Sequence, residues 1–409
     1  MNSLYGGVDQ FGISGSWLTD CLNSSAALWE SSPVFAIVEK HILQFLGSYT
    51  GFLSFEGQFC PGGSMANCYA MLLSRHKIFY DIKEHGLSGK SRIVMFSSDM
   101  SHYSFRKMAI VLGLGTESVI KIKTDNYGRM IPQELENAIV KSKKDGFIPF
   151  MVAATSGTTV LGAFDPIEKI ALITKKHHIW LHVDGALGGT WLFSRTHREL
   201  LAGLDQADSF SWDLHKMASI PIYCSVIITK HPGLLKDAFG LNAEYLFQSE
   251  KYYNKSYDVG DFSIQCTRKV DAFKLYFSLK AHGLKRIEES VDNVYKMARF
   301  FEDQISKRVN FRLILPRSES NNICFHFIPN TYINKENLLT PKMRSKICTE
   351  LKRKLMQSGS VMIAYQSIPE KNIPVCFRMT ISCHPVYRPE DILHVISQME
   401  LYGRDLIVD

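Results

Sequence analysis

Strand-like apolar segments alternate with helical patterns through the middle of the chain, and this order restricts its possible folds more than any other feature. The predicted strands occupy residues 92–97, 118–123, 150–154, 179–183 and 207–212. Helical patterns between them lie at residues 102–112, 132–143 and 165–176, the last with Asp165 as its predicted N-cap. Such alternation is typical of a mostly parallel sheet with helices on both faces, so the sequence predicts an α/β fold.

Four polar residues follow predicted strands, namely His102, Thr155, Asp184 and Lys216. Ligands of such sheets bind beyond the carboxyl ends of the strands, so the fold would gather these side chains. A carboxylate and a lysine on two strand ends meet the needs of pyridoxal phosphate (PLP): one pairs with the pyridinium nitrogen and the other forms an imine with the aldehyde. The two residues together predict a PLP site, whereas a lone lysine is usually a solvated surface charge.

A glycine-containing turn at residues 60–64 (Cys-Pro-Gly-Gly-Ser) precedes a predicted helix at 65–75. Backbone N–H groups and the helix N-terminus at such a turn favour a phosphate, although a Gly-Gly-Ser turn alone is more often a plain helix start. No Gly-Lys-Ser/Thr follows it, which excludes a Walker loop.

The length of 409 residues exceeds what one hydrophobic core usually supports. We expect an N-terminal helical segment (1–50), a large cofactor-binding domain (51–290) and a small C-terminal domain (291–409). A long amphipathic helix at 285–307 is predicted to join the last two, and further strands are predicted at 322–327, 361–364 and 376–382.

The overall charge and the cysteines exclude several classes of protein. The net charge is only +7 and no long basic run occurs, so no nucleic-acid partner is expected. The nine cysteines lack metal-ligand spacing, which predicts reduced thiols and no metal site. No apolar run reaches membrane-spanning length and the first residues lack a signal-peptide pattern, so we expect a cytoplasmic protein without a membrane partner.

Five segments carry a resemblance to a known family: 59–64, 154–166 (Ala-Thr-Ser-Gly-Thr-Thr-Val-Leu-Gly-Ala-Phe-Asp-Pro), 181–184 (Leu-His-Val-Asp), 215–216 (His-Lys) and 245–248 (Tyr-Leu-Phe-Gln). The chain resembles the group II PLP-dependent amino-acid decarboxylases over nearly its whole length. It is most similar to their acidic branch, which acts on glutamate, aspartate or cysteine sulfinate. The resemblance implies PLP fold type I, like that of aspartate aminotransferase, and a homodimer with active sites at the subunit interface.

The resemblance also implies roles around the cofactor ring. Lys216 would bind PLP covalently and exchange it for the substrate amine. Asp184 would keep the ring nitrogen protonated, so that the ring accepts the electrons left when CO₂ departs. His102 would stack on the ring, Thr155 would flank it, and Ala186 would be a further cofactor-binding residue.

Further residues are assigned in the same way to the phosphate and to the substrate carbon. Ser64, Met65 and His215 would hold the phosphate. Tyr245 matches a lid tyrosine placed to protonate the substrate carbon.

Two positions bear on the substrate. Arg378 matches the family arginine that binds a substrate carboxylate through a bidentate pair. Ser3 stands where glutamate-specific members carry glutamine, and this smaller residue favours a shorter acid. The expected reaction converts cysteine sulfinate to hypotaurine or aspartate to β-alanine, with glutamate as the alternative substrate.

Three positions near the cofactor depart from the family pattern. Asp213 stands where members carry asparagine, Leu187 where they carry tryptophan, and Ala66 where a second serine lies in the phosphate loop. Relatives also carry a segment ahead of the position of Asn2 that packs at their dimer interface, so a chain without it is expected to lose stability and activity. These differences leave open a non-catalytic paralogue, and a decarboxylase of aromatic amino acids is a third possibility.

Overall fold

The computed structural model of the chain describes residues 4–248 and 250–408. Its α-helices are α1 (Gln10–Leu22), α2 (Pro33–Gly47), α3 (Gly63–Ile78), α4 (Ile82–His85), α5 (Ser104–Val111), α6 (Pro132–Lys144), α7 (Ile167–His177), α8 (Leu234–Phe239), α9 (Asp271–Ser306), α10 (Pro341–Ser358) and α11 (Pro389–Gly403). Its strands are β1 (Glu56–Cys60), β2 (Ile93–Ser98), β3 (Val119–Ile122), β4 (Ile148–Thr155), β5 (Trp180–Asp184), β6 (Ser209–Asp213), β7 (Ser225–Thr229), β8 (Phe311–Leu313), β9 (Asn322–Phe327), β10 (Ala364–Ile368) and β11 (Ile373–Thr380).

The larger sheet has the order β1-β7-β6-β5-β4-β2-β3 within the described residues. Strands β6, β5, β4, β2 and β3 pair in parallel, and β7 runs antiparallel to both of its neighbours. Parallel neighbours need crossover connections, which the helices between them supply. The predicted α/β fold with a mostly parallel sheet is therefore confirmed.

Alternate residues of the central strands enter different cores. Val152 and Ala154 of β4 pack in the core that includes α2, α7 and much of α9, whereas Met151 and Ala153 pack with α3, α5 and α8. This period of two is the pleat of a strand buried on both faces. On β5 and β6 the same alternation turns four apolar residues away from α3 and leaves polar residues facing it.

A second sheet, β10-β11-β9-β8, is antiparallel and packs against α10 and α9. Helix α9 precedes it and bends at Gly283, whose φ of 72° is a conformation that favours glycine. The helix predicted at 285–307 corresponds to the part of α9 after this bend, and a further helical segment that begins at Asp271 precedes it. Strand β8 was not predicted, and the strand expected at 361–364 lies at Ala364–Ile368. The division into domains stays a prediction, and its boundary at residue 290 falls inside α9.

The predicted capping role of Asp165 is wrong. Helix α7 begins at Ile167 with Pro166 at the N-cap and no side-chain cap. Asp165 is instead buried, and its carboxylate accepts hydrogen bonds from the backbone N–H groups of Met130 (2.6 Å) and Thr155 (2.8 Å). Burial raises the pKa of Asp165 to about 7. The residue therefore anchors the end of β4, and with it Thr155.

Three further expectations concern the described residues as a whole. All nine cysteines are free. Across residues 4–248 and 250–408 no helix combines the length and apolarity needed to cross a membrane. The same residues contain no group of three or more His, Cys, Asp or Glu side chains placed to hold a metal ion.

Candidate active site

A cavity of about 200 Å³ lies where β4, β5 and β6 of the larger sheet end. It is lined by Leu4, Gly63, Ser64, Asn67, His102, Thr155, Gly157, Thr159, Asp184, Ala186, Leu187, Asp213, His215 and Lys216. Asp184 and Lys216, which the sequence predicts as the two fixed points of a cofactor site, therefore face the same space. Most of the predicted cofactor residues lie with them.

Asp184 is fixed at the end of β5 by two hydrogen-bond donors. Its neighbours in register are Thr155 on β4 and Ser211 on β6. The backbone N–H of Ala186 donates to Oδ1 (3.0 Å), and Asn67 Nδ2 donates to Oδ2 (2.8 Å). The carboxylate is only 4% exposed, so these donors offset part of the cost of burying its charge. They also orient it for a cationic partner in the cavity.

Asn67 is a site residue that sequence reasoning missed. Its Oδ1 accepts hydrogen bonds from His182 Nε2 (3.0 Å) and Ser211 Oγ (3.0 Å). Burial lowers the pKa of His182 to about 4, so this ring is neutral at neutral pH and brings no charge to Asp184. Asn67 lies three residues after Ser64 on α3, and this helical spacing is the signal that could have identified it.

Lys216 lies in the turn that follows β6. Its backbone N–H donates to Asp213 O (3.1 Å), and its ammonium nitrogen lies 3.1 Å from Asp213 Oδ2. The lysine side chain is 18% exposed and that of the aspartate 2%. The candidate nucleophile is thus held as half of a nearly buried ion pair.

Two histidines line the cavity as neutral rings. Burial is the largest influence on both and lowers the pKa of His102 and of His215. His102 Nδ1 accepts a hydrogen bond from the Ser104 N–H (3.3 Å), which orients the ring at the start of α5. His215 Nδ1 lies 3.2 Å from Cys224 O. Neutral rings suit stacking and hydrogen bonding but supply no positive charge for a phosphate.

The start of α3 forms one wall of the cavity. Gly62 has a φ of 95°, and a Cβ on Gly63 would lie 2.5 Å from Asp213 Oδ2, so the turn requires glycine at both positions. Ser64 lines the cavity. The side chain of Met65 instead packs against the apolar core, and its N–H donates to Gly62 O (3.0 Å). The structure thus brings only Ser64 of this predicted pair to the cavity.

The structure also shows where two of the residues that depart from the family pattern lie. Leu187 lines the cavity in place of a tryptophan, and Ala66 is fully buried on α3. Neither carries a charge or a hydroxyl that could replace a lost contact.

The polar groups of the cavity fit PLP. Thr155 Oγ1 is buried and has no hydrogen-bond partner among the described residues, so it can pair with a ligand. Asp184 offers a buried carboxylate for a pyridinium, and Lys216 an amine for an aldehyde. Ser64 and the beginning of α3 lie where a phosphate would find donors.

The predicted substrate arginine lies beside the cavity. Arg378 of β11 is 7% exposed and donates from Nη1 to Thr159 O (2.7 Å), and Thr159 lines the cavity. Burial lowers the pKa of this guanidinium, which still stays charged. Ser3 lies outside the described residues, but its neighbour Leu4 is part of the cavity wall.

Tyr245 is not brought to this cavity. It lies in a turn after α8 with 79% of its surface exposed and does not contribute to the lining. Its predicted role in proton transfer therefore stays a prediction.

Comparisons with known proteins agree with this geometry. Residues 1–328 match the family model of the pyridoxal-dependent decarboxylase conserved domain. The human protein "Acidic amino acid decarboxylase GADL1" is 42% identical over 409 residues, covering 99% of this chain and 77% of that protein. Mouse "Cysteine sulfinic acid decarboxylase" is 40% identical over 407 residues, covering 99% and 82%.

Solved structures give the same result. The crystal structure of mouse CSAD superposes with a TM-score of 0.95 at 39% identity, covering 99% of this chain and 84% of that one. An Oryza sativa TDC structure with PLP and tryptamine shares the fold at 20% identity, with a TM-score of 0.88. A cavity that joins Lys216 and Asp184, a family match over most of the chain and relatives near 40% identity across 99% of it together show that this chain belongs to the pyridoxal-dependent decarboxylases.

Proposed function

We propose that this chain removes the α-carboxyl group of a small acidic amino acid, with cysteine sulfinate and aspartate as the preferred substrates. The observation that supports it most is the placement of Arg378 beside the cavity that contains Lys216 and Asp184. The similarity to an acidic amino-acid decarboxylase and to cysteine sulfinic acid decarboxylases agrees with this substrate class.

Each cavity residue has a definite task in this proposal. Lys216 would hold the cofactor through its amine, and Asp184 would keep the pyridine nitrogen protonated. His102 and Thr155 would contact the ring, and Ser64 would bind the phosphate. When bound, PLP supplies the electron sink that stabilises the electron pair left as CO₂ departs.

The proposal is tested by measuring CO₂ release from purified protein with PLP on cysteine sulfinate, aspartate, glutamate and an aromatic amino acid. We expect kcat/KM to be highest for cysteine sulfinate or aspartate. A preference for the aromatic substrate, or no release from any acid, would overturn the proposal.

Replacing Arg378 with lysine should raise KM for the acidic substrates by about tenfold or more and change kcat less. Lysine keeps the charge but cannot form the bidentate pair that orients a carboxylate. Steady-state kinetics on aspartate and cysteine sulfinate measure the effect. Arg317→Lys, at an exposed ion pair of the same C-terminal region, is the matched control and should leave KM unchanged. An unchanged KM in Arg378→Lys would favour the aromatic alternative.

We further propose a homodimer in which Tyr245 of one subunit reaches the cavity of the other. Its exposure in the single chain supports this, as does a group of exposed apolar residues on α1 and α2, namely Trp17, Leu18, Leu22, Val34 and Ile37. The free cysteines agree with a reducing compartment, and we therefore place the protein in the cytoplasm.

Co-expressing Tyr245→Phe and Lys216→Ala chains with different tags tests the exchange. Each variant alone should be inactive, because one lacks the proton donor and the other the nucleophile. In a mixed dimer one cavity regains both groups, so random pairing should restore about one quarter of wild-type turnover. Tyr252→Phe, an exposed tyrosine of the same segment, should leave turnover unaffected. A mixture as inactive as its parents would show that Tyr245 does not act across subunits.

A second candidate function is a family member that binds PLP too weakly for turnover. The ion pair between Asp213 and Lys216 favours it, since it occupies the candidate nucleophile. Normal turnover by the isolated chain would exclude it.

A further inference from the structure

Asp213 places a buried carboxylate at the end of the cavity nearest α3. It is the last residue of β6 and is 1% exposed. Ser225 Oγ donates to Oδ1 (2.6 Å), and the Lys216 ammonium lies 3.1 Å from Oδ2. This carboxylate is therefore held on two sides, and it has a fixed position in the cavity wall.

The same carboxylate faces the first turn of α3. Oδ2 would lie 2.5 Å from a Cβ on Gly63, and Gly63, Ser64 and His215 line the cavity with it. A helix N-terminus and an ammonium both attract anions. Asp213 thus stands among the groups that would otherwise attract a phosphate.

The charges of the cavity lining make this position unfavourable for a second anion. Asp184 and Asp213 are carboxylates, Lys216 is the ammonium, and burial lowers the pKa values of His102 and His215 so that neither adds positive charge. Like charges at close range repel strongly where water is largely excluded. The lining as a whole suits a pyridinium better than a phosphate.

We propose that Asp213 competes with the cofactor phosphate and so sets a low affinity of this chain for PLP. The inference rests on the proposed function and names the residue that limits cofactor loading.

Asp213→Asn removes the charge and nearly preserves the shape. Asp208→Asn is the matched control. Asp208 immediately precedes β6, so it lies at the opposite end of that strand from Asp213, and its carboxylate pairs with the Lys230 ammonium at 3.0 Å. Cofactor-free forms of the wild type and both variants are titrated with PLP and with pyridoxal, which lacks the phosphate, and binding is followed by absorbance.

We expect Asp213→Asn to bind PLP about tenfold or more tightly than the wild type, and pyridoxal with a much smaller gain. Asp208→Asn should behave as the wild type. Inorganic phosphate alone should raise the melting temperature of cofactor-free Asp213→Asn more than that of the wild type. Asp213→Ser serves the same comparison if the asparagine variant does not fold.

Equal PLP affinity in the wild type and Asp213→Asn would overturn this inference while leaving the decarboxylase proposal intact. An equal gain for PLP and pyridoxal would also overturn it, because the phosphate would then not be the group that Asp213 opposes. Failure of every form to attach PLP would refute the proposed function, and this inference with it.

Discussion

Replacing Lys216 with alanine should abolish turnover, with a loss in kcat/KM on the order of 10⁴-fold or more. The side chain is the one amine that lines the cavity in the described part of the chain, and it shares that cavity with Asp184. Without it, PLP has no covalent attachment and cannot be passed to the substrate amine in a fixed position. CO₂ release with saturating PLP measures the loss.

The matched control is Lys230→Ala. Lys230 also pairs with an aspartate next to β6, Asp208, but at the opposite end of that strand from the cavity. Its replacement should therefore leave kcat/KM within about twofold of the wild-type value. Thermal melting of both variants separates loss of chemistry from loss of fold. A Lys216→Ala protein that folds and still releases CO₂ at the wild-type rate would contradict the assignment.

Replacing Asp184 with alanine should lower kcat by about a thousandfold or more while PLP still attaches to Lys216. The carboxylate is the group that would keep the pyridine nitrogen protonated, and a neutral pyridine is a much weaker electron sink. Its two donors, Asn67 Nδ2 and the Ala186 N–H, would remain but could not replace its charge. Turnover and the absorbance of the attached cofactor are measured on the same sample.

A PLP analogue methylated on its ring nitrogen is the control for this prediction. It carries a permanent positive charge, so it should restore part of the activity of Asp184→Ala and little of that of Lys216→Ala. Equal activity of Asp184→Ala with either cofactor would show that Asp184 acts only through structure.

The alternation of strands and helices made most of the larger sheet predictable. Local pattern determines where β2 to β6 begin and end, and parallel pairing then places Thr155 next to Asp184 in register. Lys216 follows for the same reason, because it lies just beyond the next parallel strand. Residues at strand ends could therefore be assigned to one cavity from sequence alone.

Residues whose contacts depend on how a helix packs across the sheet could not be assigned to the cavity from the sequence in this way. The spacing from Ser64 places Asn67 on the same side of α3, but its contact with Asp184 depends on α3 packing across β5 and β6. Asp165 lies at the sequence position of a helix cap. Its carboxylate instead accepts hydrogen bonds from the backbone N–H groups of Met130 and Thr155, which belong to other segments of the chain. In the proposed homodimer, the position of Tyr245 relative to a cavity would depend on the second subunit, which a single sequence does not specify.

Polar residues alternate with large aromatic ones along β6, as Ser209-Phe210-Ser211-Trp212-Asp213. This period of two places the three polar residues on one face of the strand, and that pattern could have shown that Asp213 faces α3. The contact of its carboxylate with Lys216 requires, in addition, the turn at 213–216.

Lys216 and Asp184 are proposed to hold one cofactor at its two ends. Reduction of the PLP-loaded protein with borohydride, followed by peptide mass mapping, tests this most directly, because reduction makes the lysine–cofactor bond permanent. We predict a single cofactor adduct, on the peptide that contains Lys216, and none in Lys216→Ala. An adduct on another lysine, or none in the wild type, would show that Lys216 is not the residue that holds the cofactor.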